Sequence, residues 1–168
     1  MEFTSASASK YLKRLQDEKD RVLRIENETS TYIVADGEEP DPPEYDYAAT
    51  RAAVSEIDDK MRAIRHGLHR FNMETILPES GMSIDEALIV LAQMNNAQGR
   101  IRSLSEQQKK ARLRDRFYGA SSGPVEYRFA NYDIAEAESD YRKLSDEIAA
   151  LQLEIDLANQ TQLFSVDI

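Results

Sequence analysis

The 168-residue sequence contains no cysteine and no tryptophan, and it has only six glycines and five prolines. Without cysteine the chain cannot form a disulfide bond, a thiolate metal site or a thiol nucleophile, and this composition suits a reducing compartment. No stretch approaches the roughly 18 consecutive apolar residues of a membrane-spanning helix. The first residues lack the basic and apolar regions of a signal peptide, so we expect a cytoplasmic protein.

Histidine is also scarce, and His66 and His69 are the only two in the chain. Their spacing on a helix could suit a metal ion, but neither belongs to the Glu-x-x-His motif of di-iron bundles. Their neighbours Arg65 and Arg70 favour two exposed side chains instead. The sequence also lacks a phosphate-binding glycine loop, a nucleophile elbow and a His-Glu-x-x-His motif. We therefore predict no catalytic residue, cofactor or metal, and a protein that is not an enzyme.

The sequence is rich in apolar residues that alternate in steps of three and four, which places them on one side of a helix. Four such stretches predict helices at about 5–29, 47–72, 83–116 and 132–162. A capping box over 83–86 marks the start of the third helix. The most regular stripes belong to the second and fourth helices. Their expected helix-packing or oligomer-interface residues are Ile57, Met61, Ile64, Leu68, Ile134, Tyr141, Leu144, Ile148, Leu151 and Ile155.

Four long amphipathic helices predict a single all-α domain over residues 1–168. We expect long antiparallel helices that form a four-helix bundle or coiled-coil-like hairpins. An acidic, proline-rich loop at 35–46 connects the first two helices, and its prolines and like charges keep it extended. Gly67 lies within the second helix at a cost of about 1 kcal/mol relative to alanine, which predicts either a close contact or a local weakness. The last stripe fades at Gln162 and leaves 163–168 available to pack elsewhere, including on another subunit.

A short strand is predicted near residue 127, because Val125, Tyr127 and Phe129 alternate with less apolar residues. Tyr32 and Val34 could supply its partner strand and complete a minor two-stranded β-hairpin. An extended loop is the alternative.

The charge of the chain is unevenly distributed. The formal net charge is -10, yet 100–116 holds seven basic and two acidic residues, whereas 133–156 holds eight acidic and two basic residues. One interpretation pairs the basic segment with the acidic last helix, within or between chains. The other is a nucleic-acid-binding face with Phe117 and Tyr118 available to stack on bases. Its basic residues would be Lys109, Lys110, Arg112, Arg114 and Arg116.

The apolar stripes are narrower than a globular core requires, so another copy of the chain could cover the remaining flanks. The leading functional hypothesis is accordingly a homo-oligomeric structural or interaction protein, with a different protein partner also open. A nucleic-acid-binding accessory protein is the second hypothesis, although the overall negative charge opposes it.

Several short motifs resemble the septicolysin-like family of small all-helical bacterial proteins of unknown function. They are Asp36–Pro40, Ile57–Asp59, Ser83–Leu88 and Glu154–Asn159, followed by a threonine at 161. The resemblance implies an all-helical fold, and the family label alone implies a cytolysin-like role. Gln160 stands where the family pattern expects an aromatic residue, and the turn at 119–123 is longer than the family's.

Overall fold

A computed structural model describes residues 1–112 and 125–168 of the protein. In this part of the chain it has four helices and four short strands. The helices are α1 (Ser5–Thr29), α2 (Tyr47–Glu74), α3 (Ile84–Ser105) and α4 (Ile134–Thr161). The strands are β1 (Glu2–Phe3), β2 (Lys110–Arg112), β3 (Tyr127–Phe129) and β4 (Phe164–Ser165). The predicted all-α class with a minor β component is confirmed.

Side chains of Ser, Thr and Asp fix where the helices begin. Thr4 and Ser7 form a reciprocal capping box at α1, and Asp46 accepts from the backbone of Ala49 at α2. The serine half of the predicted capping box of α3 is present, since Ser83 Oγ accepts from the backbone N–H of Glu86 at 3.1 Å. Such bonds satisfy backbone donors that the first helical turn leaves without partners.

The third helix is shorter than predicted, because α3 ends at Ser105 and does not reach Arg116. The N–H of Glu106 bonds back to the carbonyl oxygens of Arg102 and Leu104 and closes the last turn. Beyond this point the apolar stripe offers no large side chain to bury, so packing no longer favours a helix. The backbone of β2 instead pairs with β3.

The strand prediction was right about the position of β3 and wrong about its partner. β3 pairs antiparallel with β2, with Lys110 opposite Phe129 and Arg112 opposite Tyr127. The expected partner, 32–34, forms no strand and is exposed. Pairing with a segment close in sequence requires a shorter loop and therefore costs less entropy.

The described chain divides into two compact units. The first comprises Met1–Leu77 and Asp156–Ile168, and the second comprises Pro78–Ile155, so α4 contributes residues to both. The single domain over 1–168 and the arrangement of all four helices as one bundle stay predictions.

In the first unit α1 and α2 run antiparallel. Lys19 Nζ lies 2.7 Å from Asp58 Oδ1, and the Tyr45 hydroxyl donates to Glu26 Oε1 at 2.7 Å. Residues in the second half of α1 therefore contact residues in the first half of α2 and just before it. Its apolar core consists of Phe3, Ala8, Leu15, Ile57, Met61, Ile64 and Val166. The acidic loop at 35–46 has neither helix nor strand and is exposed except at Tyr45.

The C-terminal segment, which was expected to pack away from the last helix, packs on its own chain. β4 pairs antiparallel with β1, and the Val166 N–H donates to the Met1 carbonyl oxygen at 2.8 Å. The ring of Phe164 stacks on that of Phe71 at a centroid distance of 5.1 Å. The alternation of inward Phe164 and Val166 around Ser165 is that of a strand with one buried face.

In the second unit α3 and α4 form an antiparallel hairpin. Gln98 Nε2 donates to Ser145 Oγ at 2.9 Å, and the Tyr132 hydroxyl donates to the Leu104 carbonyl oxygen at 2.7 Å. The β2–β3 ribbon extends from the end of this hairpin where α3 stops and α4 begins.

Candidate functional site

The second unit has an open groove between α3, α4 and the loop that precedes α3. Its volume is about 430 Å³, which is within the range of roughly 300–1,000 Å³ typical of ligand pockets. We call it the α3–α4 groove. It is lined by Glu79, Ser80, Met82, Val90, Met94, Glu147, Ala150, Leu151 and Glu154.

Glu154 holds the loop side of the groove in place. Its Oε1 accepts from the backbone N–H of Glu79 at 2.5 Å and from that of Ser80 at 3.2 Å. Partial burial opposes ionisation of this carboxyl. The bonds from Glu79 and Ser80 outweigh that effect, so the pKa of Glu154 lies below its ordinary value of 4.5. Glu154 is therefore an anionic anchor for the loop.

The rest of the groove combines an apolar floor with further negative charge. Met82, Val90 and Met94 are half-buried, and Leu151 is buried. Glu79 and Glu147 are exposed carboxylates in the lining, and no lysine or arginine occurs among the described lining residues. An apolar surface with acidic margins suits a ligand that presents both apolar groups and positive charge.

The β2–β3 ribbon has the opposite chemistry, and we call it the basic hairpin. Residues directly opposite each other in an antiparallel pair share a face, so Lys110, Arg112, Tyr127 and Phe129 lie on one face. Lys110 Nζ lies 4.1 Å from the ring centroid of Tyr127 and 5.5 Å from that of Phe129. Both rings are exposed, at 45% and 63%. This face presents positive charge and aromatic surface together.

Arg128 lies on the opposite face of the basic hairpin, beside a second cavity of about 440 Å³. That cavity extends under the hairpin to the end of α3 at Leu104 and to Tyr132, and Phe129 at the edge of the hairpin also lines it. It contains no carboxylate or histidine among its described lining residues, and it offers no group suited to acid–base chemistry.

The structure accounts for the predicted stripe residues chiefly as packing within one chain. Six are buried, namely Ile57, Met61, Ile64, Ile148, Leu151 and Ile155. The other four, Leu68, Ile134, Tyr141 and Leu144, are half-buried. Leu151 also lines the α3–α4 groove. An intermolecular role for these residues stays a prediction.

The described residues of the predicted nucleic-acid face do not lie on a helix. Lys109 precedes β2, while Lys110 and Arg112 lie in it, and all three are exposed. Arg114, Arg116, Phe117 and Tyr118 lie outside the described residues. The structure instead brings Tyr127 and Phe129 beside Lys110 and Arg112. This arrangement could be predicted only by knowing which strands pair.

The two histidines are exposed and, with Arg62 and Arg65, line an open depression of about 440 Å³ on α2. Within residues 1–112 and 125–168, no three histidine, aspartate or glutamate side chains are placed to hold a metal ion. Among the helices of the same ranges, none combines the length and the apolar character needed to cross a membrane.

Sequence reasoning missed the groove because Glu79, Ser80 and Met82 reach it from a loop. One signal was visible: Ala87–Ala92 is apolar at every position, which indicates that more than one side of α3 has apolar surface.

No known family model matches the sequence, and no curated protein matches it. The fold is similar to the crystal structure of a conserved protein of unknown function from Corynebacterium diphtheriae. The two structures match with a TM-score of 0.59 and 17% identity, over 98% of this chain and 100% of that chain. At this level of identity the similarity establishes the fold alone, and the septicolysin-like resemblance stays a prediction.

Proposed function

We propose that this chain is a cytoplasmic, non-enzymatic protein that assembles with copies of itself through the α3–α4 hairpin. The observation that carries the proposal is the α3–α4 groove, a largely apolar surface open to solvent. Covering apolar surface contributes roughly 25 cal/mol per Å².

Exposed apolar side chains on the same two helices support this proposal. Ile89 on α3 is 56% exposed, and Leu153 on α4 is 71% exposed. Single exposed apolar residues are common on monomers, so neither would suffice without the groove. Together with the groove, they leave exposed apolar surface on both helices of the hairpin.

The non-enzymatic part of the proposal is supported by the hydrogen bonds that lower the pKa of two carboxyl groups. A hydrogen bond from Lys60 one helical turn away lowers the pKa of Glu56, and backbone donors from the loop lower that of Glu154. Each of these carboxylates has a structural partner, whereas a general acid would need a raised pKa in a pocket.

A groove-filling substitution tests the proposal. Ala150 is exposed and lines the groove, so Ala150→Phe fills it, whereas Ala149→Phe places the same ring at an exposed position outside the groove lining. In sedimentation velocity over a micromolar concentration series, we expect the wild type and A149F to form oligomers. We expect A150F to associate at least tenfold more weakly. A wild type that stays monomeric throughout the series would overturn the proposal.

A second candidate function is nucleic-acid binding by the basic hairpin. It is favoured by the face on which Lys110 and Arg112 accompany Tyr127 and Phe129, because single-stranded nucleic acids bind to surfaces that combine cations with aromatic rings. Fluorescence anisotropy with a single-stranded oligonucleotide at low salt tests it. Binding should weaken steeply with added salt and fall on Phe129→Ala, and no binding at low salt would exclude it.

A further inference from the structure

We propose that the α3–α4 groove is the docking site for the basic hairpin of a second copy of this chain. The inference rests on the proposed homo-oligomer and specifies which two surfaces meet. It is carried by charge complementarity between two surfaces of one unit, each exposed in a single chain.

The groove recognises cations and apolar groups together. Glu79, Glu147 and Glu154 supply negative charge along its lining, and Met82 and Met94 contribute flexible side chains to its floor. Methionine adapts its shape to inserted groups and makes favourable sulfur contacts with aromatic rings. An aromatic side chain flanked by lysine or arginine therefore matches both the floor and the margins.

The basic hairpin presents this combination on one face. Phe129 and Tyr127 provide apolar area, and Lys110 and Arg112 stand opposite them across the ribbon. The cation–π contact of Lys110 with both rings holds the charge next to the apolar surface. Aromatic residues and arginine are the side chains that most often dominate binding energy at protein interfaces.

A chain cannot fill its own groove with this hairpin. The groove spans Val90 to Met94 on α3, whereas the hairpin begins beyond Ser105. At 1.5 Å per residue, the eleven steps from Met94 to Ser105 amount to about 16 Å along the helix. The occupant must therefore come from another molecule.

In an antiparallel pair of copies, each basic hairpin can occupy the groove of the other copy. The hairpin leaves one end of the α3–α4 pair, and the groove includes the loop at the opposite end. A twofold axis across the pair therefore brings each hairpin to the partner's groove. Such an isologous arrangement closes as a dimer with two identical contacts and leaves neither site exposed.

Charge reversal in two separate chains tests this pairing. One variant carries Lys110→Glu and Arg112→Glu, and the other carries Glu79→Lys and Glu147→Lys, which makes the groove lining net basic; all four positions are exposed. Each variant alone opposes like charges at both contacts, so we expect dimerisation to weaken at least tenfold. In an equimolar mixture, the acidic hairpin meets the basic groove and the unaltered hairpin meets the unaltered groove. We expect the dimer to return in that mixture.

The outcomes separate this inference from the proposed function. A monomeric wild type would overturn both the homo-oligomer and the hairpin–groove pairing. A dimeric wild type whose variants also dimerise overturns the hairpin–groove pairing and leaves the homo-oligomer. If the dimer is lost in each variant and does not return in the mixture, the hairpin–groove pairing is also overturned. Oligonucleotide binding by the wild type that is lost in K110E/R112E, with the dimer unchanged, assigns the hairpin to nucleic acid instead. Circular dichroism melts of the variants verify that each remains folded.

Discussion

A Cβ atom added to Gly67 would lie only 2.8 Å from Cγ2 of Val166. The glycine in the middle of α2 thus allows the C-terminal segment to lie against the helix, and Phe164 packs beside the same position, 3.4 Å from such a Cβ. Of the two roles that the sequence offered for Gly67, the close contact is the one present.

Gly67→Ala should lower the free energy of unfolding by about 1 kcal/mol. Alanine improves helix propensity by about 1 kcal/mol, but overpacking against Val166 costs about 1–3 kcal/mol. In a Val166→Ala background the clash is relieved, so the same substitution should become neutral or stabilising. Urea denaturation of the four proteins measures this coupling. Equal effects of G67A in both backgrounds would contradict the packing account.

Ile64→Ala should lower the free energy of unfolding by about 2–5 kcal/mol, because Ile64 is fully buried at 0% exposure and its truncation leaves a cavity. Ile33 is the matched control, since it is 100% exposed. Ile33→Ala should change the free energy by less than about 0.5 kcal/mol. Comparable losses in the two variants, measured by chemical denaturation, would be inconsistent with this core.

Glu154→Gln should reduce thermal stability in a pH-dependent way. The folded-state pKa of Glu154 lies below 4.5, so the ionised carboxylate stabilises the fold above that pH. This contribution is lost as the pH falls through the folded-state pKa. The difference in Tm between wild type and E154Q should therefore shrink on acidification. Glu147→Gln, on the same helix, is the control, and a pH-independent difference for E154Q would contradict the anchor.

Tyr45 should titrate later than an ordinary tyrosine side chain. Its hydrogen bond to Glu26 raises the pKa of Tyr45 from 10.0 to about 12, and burial acts in the same direction. The protonated hydroxyl therefore stabilises the fold below pH 10, and this contribution is lost as the pH rises through about 12. Ultraviolet titration of the wild type should show a late-titrating phenol that is absent in Tyr45→Phe and shifted to lower pH in Glu26→Gln. Identical titrations of wild type and E26Q would argue against the bond.

The sequence was most informative where local signals and packing agree. The bounds of α1 match the prediction at Ser5–Thr29, because a capping residue precedes a regular apolar stripe. The prediction from sequence was wrong about the end of α3, because 106–110 contains good helix formers. There the pairing of β2 with β3 overrides propensity.

The candidate site could be predicted only in its parts. Charge counts identified a basic segment and an acidic last helix, but the groove depends on a loop that Glu154 ties back through two backbone bonds. The face shared by Lys110 and Phe129 depends on strand register, which one sequence does not specify. The two-residue strand β4 is also too short to give a periodic signal, and its partner β1 lies at the other end of the chain.

The mass of the wild-type chain in solution tests the central claim most directly. Sedimentation velocity over a rising micromolar concentration series should show a species of twice the 19.1 kDa of one chain. Because the contacts join acidic to basic residues at solvent-accessible margins, moderate salt should weaken that species. A mass of 19.1 kDa at every concentration would contradict the account.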